Sequence, residues 1–234
     1  MAGTGRASGC RRRTSGSAVL KTREKTAATK SAPHTPASNR AGLLSQLGEV
    51  FREHGYEGAS LTLITQATGL GKGSLYHLFP GGKAQMAEEV LAEIDGWFTR
   101  HVFVPLREAE EPRRGIAQML TAVDDYFRSG RRVCLVGVFA LGAARDEFAA
   151  AVRGYFKAWA EVLAAALRRA GYDRAEATEL AEDVLASIQG ALVLARGVDQ
   201  PKVFTRALTR LRRRLGVTAA KIGQKAGGVS GAAS

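Results

Sequence analysis

The chain is 234 residues long, with 34 Lys/Arg against 22 Asp/Glu and a formal net charge of +12. That length buries one sizeable core or two small ones. Two cysteines (Cys10, Cys134), four scattered histidines (His34, His54, His77, His101) and no run of eighteen apolar residues exclude a disulfide framework, a recognisable metal-ligand spacing and a spanning helix. The expectation is a cytoplasmic protein with no metal, no cofactor and no membrane partner.

The charge is uneven. Residues 1–40 hold nine basic residues and one acid, and residues 205–234 hold seven basic residues and none. The middle of the chain is therefore slightly acidic, so the high net charge alone does not define a nucleic-acid surface. Residues 1–38 are rich in Arg, Lys, Ser, Thr, Ala and Gly and are expected to be a disordered basic tail. "CRRRT" and "KTREKTAATK" can neutralise phosphates without choosing sequence, and the same composition also suits a transit peptide. Residues 217–234 read as a second tail.

From residue 39 the pattern is helical. Leu43, Leu44, Leu47, Val50 and Phe51 share one face of the first helix, which Gly55 closes. "LTLITQAT" (61–68) is a short helix with Ser60 as its N-cap. "KGSLYHLF" (72–79) is another, stopped by Pro80-Gly81-Gly82. A longer helix opens at Lys83 and places Met86, Val90, Ile94 and Trp97 along one side. Further helices are expected at 113–128, 133–142, 145–170, 174–196 and 200–215. The fold class is all-α, with about nine helices.

"GLGKGSLYHLFPGGK" (69–83) admits two readings. A phosphate loop needs G-x-x-x-x-G-K-[ST] after a strand. Gln66 stands where the first glycine of a Gly71-Lys72 loop belongs, and Gly73 replaces the hydroxyl that would meet magnesium. For Gly82-Lys83 the corresponding first position is His77. The segment upstream is helical, so the phosphate-loop reading fails.

A helix-turn-helix fits. Leu61, Ile64 and Ala67 form the inner face of its first helix. Gly69 supplies a left-handed close, Leu70 fills the angle, and Leu75 and Phe79 form the inner face of the second. Lys72, Gly73, Ser74, Tyr76 and His77 then point outward at the helix start, where such a motif reads bases. Lys72 can reach a phosphate or a guanine edge, Gly73 lets the backbone come close, and Ser74 and Tyr76 offer hydroxyls. Ser60 and Thr62 open the preceding helix, where free N–H groups favour a phosphate. Lys83 is a candidate backbone clamp.

"ITQATGLGKGSLYHLFPGGK" resembles the helix-turn-helix of TetR-family transcriptional regulators, and the likeness runs from about Asn39 to Trp97. Leu78 departs from the pattern, standing where an aromatic residue or His is frequent. With "CLVGVFALGAARDEF" (134–148), the motif is similar to the LmrA/YxaF-type subgroup. The resemblance implies a DNA-binding domain over 39–98 (motif about 60–79) and a ligand-binding and dimerisation domain over 99–216. It also implies an Ω-shaped homodimer on a roughly palindromic double-stranded operator. There, a small-molecule effector shifts the fourth helix and releases the DNA.

Two late apolar seams follow. One runs through Leu180, Val184, Ile188, Ala191 and Ala195. The other runs through Phe204, Leu208 and Leu211. Their spacing suits either the chain's own core or a partner, and the resemblance implies a dimeric four-helix interface. Candidate pocket walls are Trp97, Phe98, Met119, Tyr126, Phe127, Cys134, Phe139, Phe156, Trp159 and Gln189. Few charges lie among them, so the expected effector is uncharged and apolar or aromatic.

No catalytic residues are assigned. Asp124-Asp125 and Asp146-Glu147 splay by about 100° on their helices, and no Ser-His-Asp order is present, so no enzyme is expected. The competing reading is a non-specific, tail-driven DNA binder of the nucleoid type.

Overall fold

The computed structural model describes residues 36–217, all of them helical or in short connections, with no strand among the described residues. The expected tails, 1–38 and 217–234, lie outside the described residues except at their inner edges. Pro36–Ser38 belong to the first helix rather than to a tail, and Val217 is buried.

The helices in chain order are α1 (Pro36–Gly58), α2 (Leu61–Thr68), α3 (Lys72–Leu78), α4 (Gly82–Phe98), α5 (Val104–Glu108), α6 (Pro112–Tyr126), α7 (Leu135–Leu141), α8 (Ala149–Arg169), α9 (Arg174–Gly197) and α10 (Lys202–Arg214). Local chemistry sets most of their ends. Gly55 takes φ 68° and kinks α1, so that Tyr56–Gly58 form an offset last turn. Ser60 caps α2 by accepting from the Leu63 N–H at 3.3 Å. Gly69, at φ 69°, closes α2 by donating to the Thr65 carbonyl at 2.9 Å.

The expected helix from Lys83 does not run on uniformly. It ends at Phe98, widens into a π turn over Thr99–Phe103, and resumes as α5. Pro105 has no N–H to return to the preceding turn, and the ladder adjusts just before it.

One continuous core joins the first four helices to the rest. Phe98, at the end of α4, is its hub. Its ring lies 4.9 to 6.3 Å, centroid to centroid, from those of Trp97, Phe103, Tyr126, Phe127, Tyr155 and Trp159. These six come from α4, the π turn, α6 and its C-terminal end, and α8. Each buried aromatic of this kind contributes about 1.5–3 kcal/mol through its area alone.

Two expectations are corrected. Ala67 is exposed, so α2 turns inward through Ile64, helped by half-buried Leu61. One helical turn from Ile64, Thr68 returns its hydroxyl to the Ile64 carbonyl at 2.7 Å. The α9 and α10 seams are also buried within the chain. Leu180, Val184, Ile188, Ala191, Ala195, Phe204, Leu208 and Leu211 are each at most 7% exposed. They join α9 and α10 to the chain's own core, and of the eight only Ala191 and Leu211 also reach the floor of a groove on the outer side of these helices. Gly130, at φ 89°, admits the same packing from the other side. A Cβ there would stand 2.7 Å from both the Pro201 carbonyl oxygen and the Phe204 Cβ.

Candidate DNA-reading face and ligand cavities

Leu75 and Phe79 are fully buried behind α3, and Ile64 is buried behind α2. The Arg40 guanidinium covers the Phe79 ring at 5.0 Å and pairs with Glu89, tying the start of α1 to α4. With its back fixed, α3 presents Lys72, Gly73, Ser74, Tyr76 and His77 as one exposed row, Tyr76 being 51% exposed. Leu78 is also partly exposed, at 37%. The space around Gly71 and Gly73 is open, with nothing within 4 Å of a notional Cβ at either. Thr62 and Ser60 are exposed at the start of α2, although the Ser60 hydroxyl already serves as its cap.

Lys83 sits differently from the other candidates. Its ammonium donates to the Tyr56 carbonyl at 2.8 Å and lies 4.4 Å above the Tyr56 ring. It therefore pins the start of α4 to the end of α1.

Tyr56 and Glu57, on the offset turn of α1, form a joint that sequence reasoning missed. The Tyr56 hydroxyl donates to Glu147 at 3.0 Å, and Glu57 accepts from the Ala144 N–H at 2.6 Å. The Tyr56 ring packs among Phe51, Phe139 and Phe148. Burial, then the bond to Glu147, pushes the Tyr56 phenol up to about 12. The head is thereby fastened to the segment between α7 and α8, three to four residues before the Ser60 cap of α2. The only sequence signal is "HGYEG", a polar and aromatic interruption between an apolar helix and the motif.

The ten candidate pocket residues separate into three places. Cys134, Phe156 and Gln189 line an apolar cavity of about 490 Å³ between α7, α8 and α9. Its other walls include Gly137, Val138, Leu141 and Val193. Burial pushes the Cys134 thiol up, so it stays neutral, and its sulfur accepts from the Gly137 N–H at 3.3 Å. The Gln189 side-chain nitrogen is buried with no acceptor among the described residues, a polar anchor in a wall that is otherwise apolar apart from Cys134 and Arg196.

Trp97 and Tyr126 line a different cavity, at the junction of α1, α4 and α6. Phe98, Met119, Phe127, Phe139 and Trp159 are core: the Trp159 indole donates to the Met119 sulfur at 3.4 Å, and Phe139 packs on Phe51 and Phe148. The rim of the apolar cavity continues onto an exposed row, with Leu141 86%, Val193 62%, Leu194 58% and Val198 53% accessible.

On the outer side of α9 and α10, Ser187, Gly190, Leu194, Val203, Arg210 and Arg214 border a shallow groove. No helix among the described residues is long and apolar enough to cross a membrane, and no group of three His, Cys, Asp or Glu suited to a metal occurs among them.

Comparison with known proteins agrees with this geometry. Residues 43–90 match the model of "Bacterial regulatory proteins, tetR family", and residues 112–209 match "Transcriptional regulator LmrA/YxaF-like, C-terminal domain". The chain is 29% identical over 161 residues to the HTH-type transcriptional regulator LmrA of Bacillus subtilis, covering 67% of this chain and 86% of that one.

Among solved structures, a TetR transcriptional regulator from Legionella pneumophila superposes with a TM-score of 0.64 at 18% identity, over 78% of this chain and 98% of that one. A cysteine mutant of the TetR family regulator CifR, solved with 26-bp double-strand operator DNA, is 28% identical with a TM-score of 0.59, over 76% of this chain and 95% of that one. With an exposed reading row set on a buried apolar back, and both halves matching the same kind of regulator, this chain belongs to the TetR family of bacterial DNA-binding transcriptional regulators, with a C-terminal part of the LmrA/YxaF-like type.

Proposed function

We propose that the protein is a homodimeric repressor that reads a palindromic operator through α3 and leaves it when an uncharged, apolar or aromatic effector enters the α7–α8–α9 cavity. The observation that carries this reading is the exposed row Lys72, Gly73, Ser74, Tyr76 and His77, backed by fully buried Leu75 and Phe79. Lys72 and Tyr76 contact phosphate or base edge, Gly73 and Ser74 approach the groove, and His77 flanks them. Thr62 and the free N–H groups at the start of α2 hold a backbone phosphate. The working division is a DNA-binding part over 39–98 and an effector and dimer part over 99–216.

Dimerisation on this reading uses the outer groove of α9 and α10, floored in part by Ala191 and Leu211, and the exposed Leu141–Val198 row, because the rest of the seams is buried within the chain. Effector binding against Gly137, Val138 and Leu141 displaces α7. The Glu57–Ala144 and Tyr56–Glu147 bonds pass that displacement to the helix-turn-helix.

The bulk charge of the described body is small, so a tail-driven, non-specific binder remains the second reading. Footprinting of the full chain and of a 1–35 deletion on the DNA upstream of its own gene separates the two. A specific regulator protects the same inverted repeat with and without the tail, at reduced affinity. Loss of all protection on deletion, or protection without sequence preference, refutes the proposal.

A further inference from the structure

The cavity at the junction of α1, α4 and α6 has a volume of about 360 Å³ and an unusual charge arrangement. Three guanidiniums converge on the single carboxylate of Glu49: Arg132 at 2.9 Å, Arg52 at 3.1 Å and Arg128 at 3.8 Å. The Arg52 side chain is 5% exposed and that of Arg132 is 14%. Arg52 spends a second donor on the neutral Tyr126 hydroxyl at 3.2 Å, and Arg132 lies over the Tyr126 ring at 4.7 Å. The Nε–H groups of both Arg52 and Arg132 are buried with no acceptor among the described residues.

The other acids at the cavity do not supply the missing charge. Glu93 is turned to Arg100 at 3.8 Å, and Asp125 is exposed. Burial, more than its neighbours, lowers the Arg52 pKa, but a guanidinium does not give up its proton in a protein. Arg132 also donates to the Tyr126 carbonyl at 3.4 Å, yet both arginines line the cavity, and a largely buried cation gains most from an anion that accepts from both. Leu44, Val90, Ile94 and Trp97 give the cavity an apolar side, while Ser45, Glu93 and Asp125 stand elsewhere on its lining. Such a wall favours a ring over a phosphate ester, and the volume fits a single-ring molecule.

We propose that this cavity is a second small-molecule site, taking a compact aromatic carboxylate whose anion lies on Arg52 and Arg132 and whose ring lies on Trp97. It shares no lining residue with the α7–α8–α9 cavity, so it stands or falls independently of the effector reading above.

The test is calorimetry of benzoate binding to the full chain, with neutral benzamide as the matched probe. The expected result is one benzoate per chain, with benzamide weaker by about tenfold or more. Arg132→Gln loses a comparable factor. Ser45→Phe, which projects a ring into the cavity from the exposed side of α1 while leaving both arginines in place, abolishes binding and guards against misfolding of the arginine variant. Gly137→Leu, which fills the other cavity, leaves benzoate affinity within about twofold. The proposal is overturned by any of three results. One is no benzoate heat up to about 10 mM. Another is equal affinity for benzamide. The third is binding that survives Ser45→Phe and disappears in Gly137→Leu.

Discussion

Replacing Glu57 by alanine isolates the joint between reading head and body. The carboxylate accepts from the Ala144 N–H at 2.6 Å, and Ala144 itself is buried. A hydrogen bond to a charged acceptor contributes about 1.5–3 kcal/mol net, and leaving a buried donor unpaired costs a similar amount. Glu57 is exposed, so solvent screens the charge and water can partly replace it. We therefore expect Glu57→Ala to cost about 1–2 kcal/mol, a fall of roughly 3–6 °C in melting temperature for a fold of this size. Glu57→Gln keeps an acceptor oxygen and should recover most of that loss. Differential scanning fluorimetry of the three proteins gives the stability term. If the joint transmits the effector signal, operator affinity without effector stays close to that of the parent in Glu57→Ala. The effector-dependent loss of affinity shrinks by a factor of about five or more. A melting temperature within about 1 °C of the parent, or an unchanged effector response in a variant that is destabilised as expected, refutes the reasoning.

Other outcomes are equally definite. Tyr76→Phe should weaken operator binding by about 1 kcal/mol, the worth of one phosphate hydrogen bond, and an unchanged gel-shift titration removes Tyr76 from the contact set. Lys72→Ala should reduce the slope of log affinity against log salt by about 0.9 if the ammonium meets phosphate; an unchanged slope with altered operator preference makes it a base reader. Gly130→Ala places a Cβ at 2.7 Å from the Pro201 carbonyl oxygen and the Phe204 Cβ at a positive φ, so chemical denaturation should show a loss of about 2–4 kcal/mol. The Tyr56 phenol, raised to about 12 from 10, contributes stability that is complete below pH 10 and is lost as pH rises towards 12. The stability gap between the parent and Tyr56→Phe should therefore close by about 1–2 kcal/mol over that window in alkaline melts.

The helix-turn-helix was legible because its signals are local. Ser60 caps, Gly69 takes a left-handed φ, and Leu75 and Phe79 repeat at one helical turn. The α4–α5 break was not, because an apolar pattern continues through it and Pro105 is the lone mark. The seams of α9 and α10 show the limit of periodicity. Spacing identifies an apolar stripe on a helix but not the neighbour it meets, and here Leu180 through Leu211 meet the chain itself. Pocket composition misled for the same reason: Phe98 and Trp159 are aromatic because they fill a hub, while Gly137 and Val138, with no chemical flag, line the cavity. Pairs such as Glu57 and Ala144, 87 residues apart, leave no trace in a single sequence.

Tyr56 belongs to two bodies at once: its carbonyl receives Lys83 from α4, and its hydroxyl reaches Glu147 beyond α7. Swapping DNA specificities between related regulators by cutting the chain after α4 would carry Tyr56 and Glu57 into a host that lacks their counterparts. A working chimera of this protein would have to bring residues 142–148 along with the donor head, or graft only α3, leaving the hinge native.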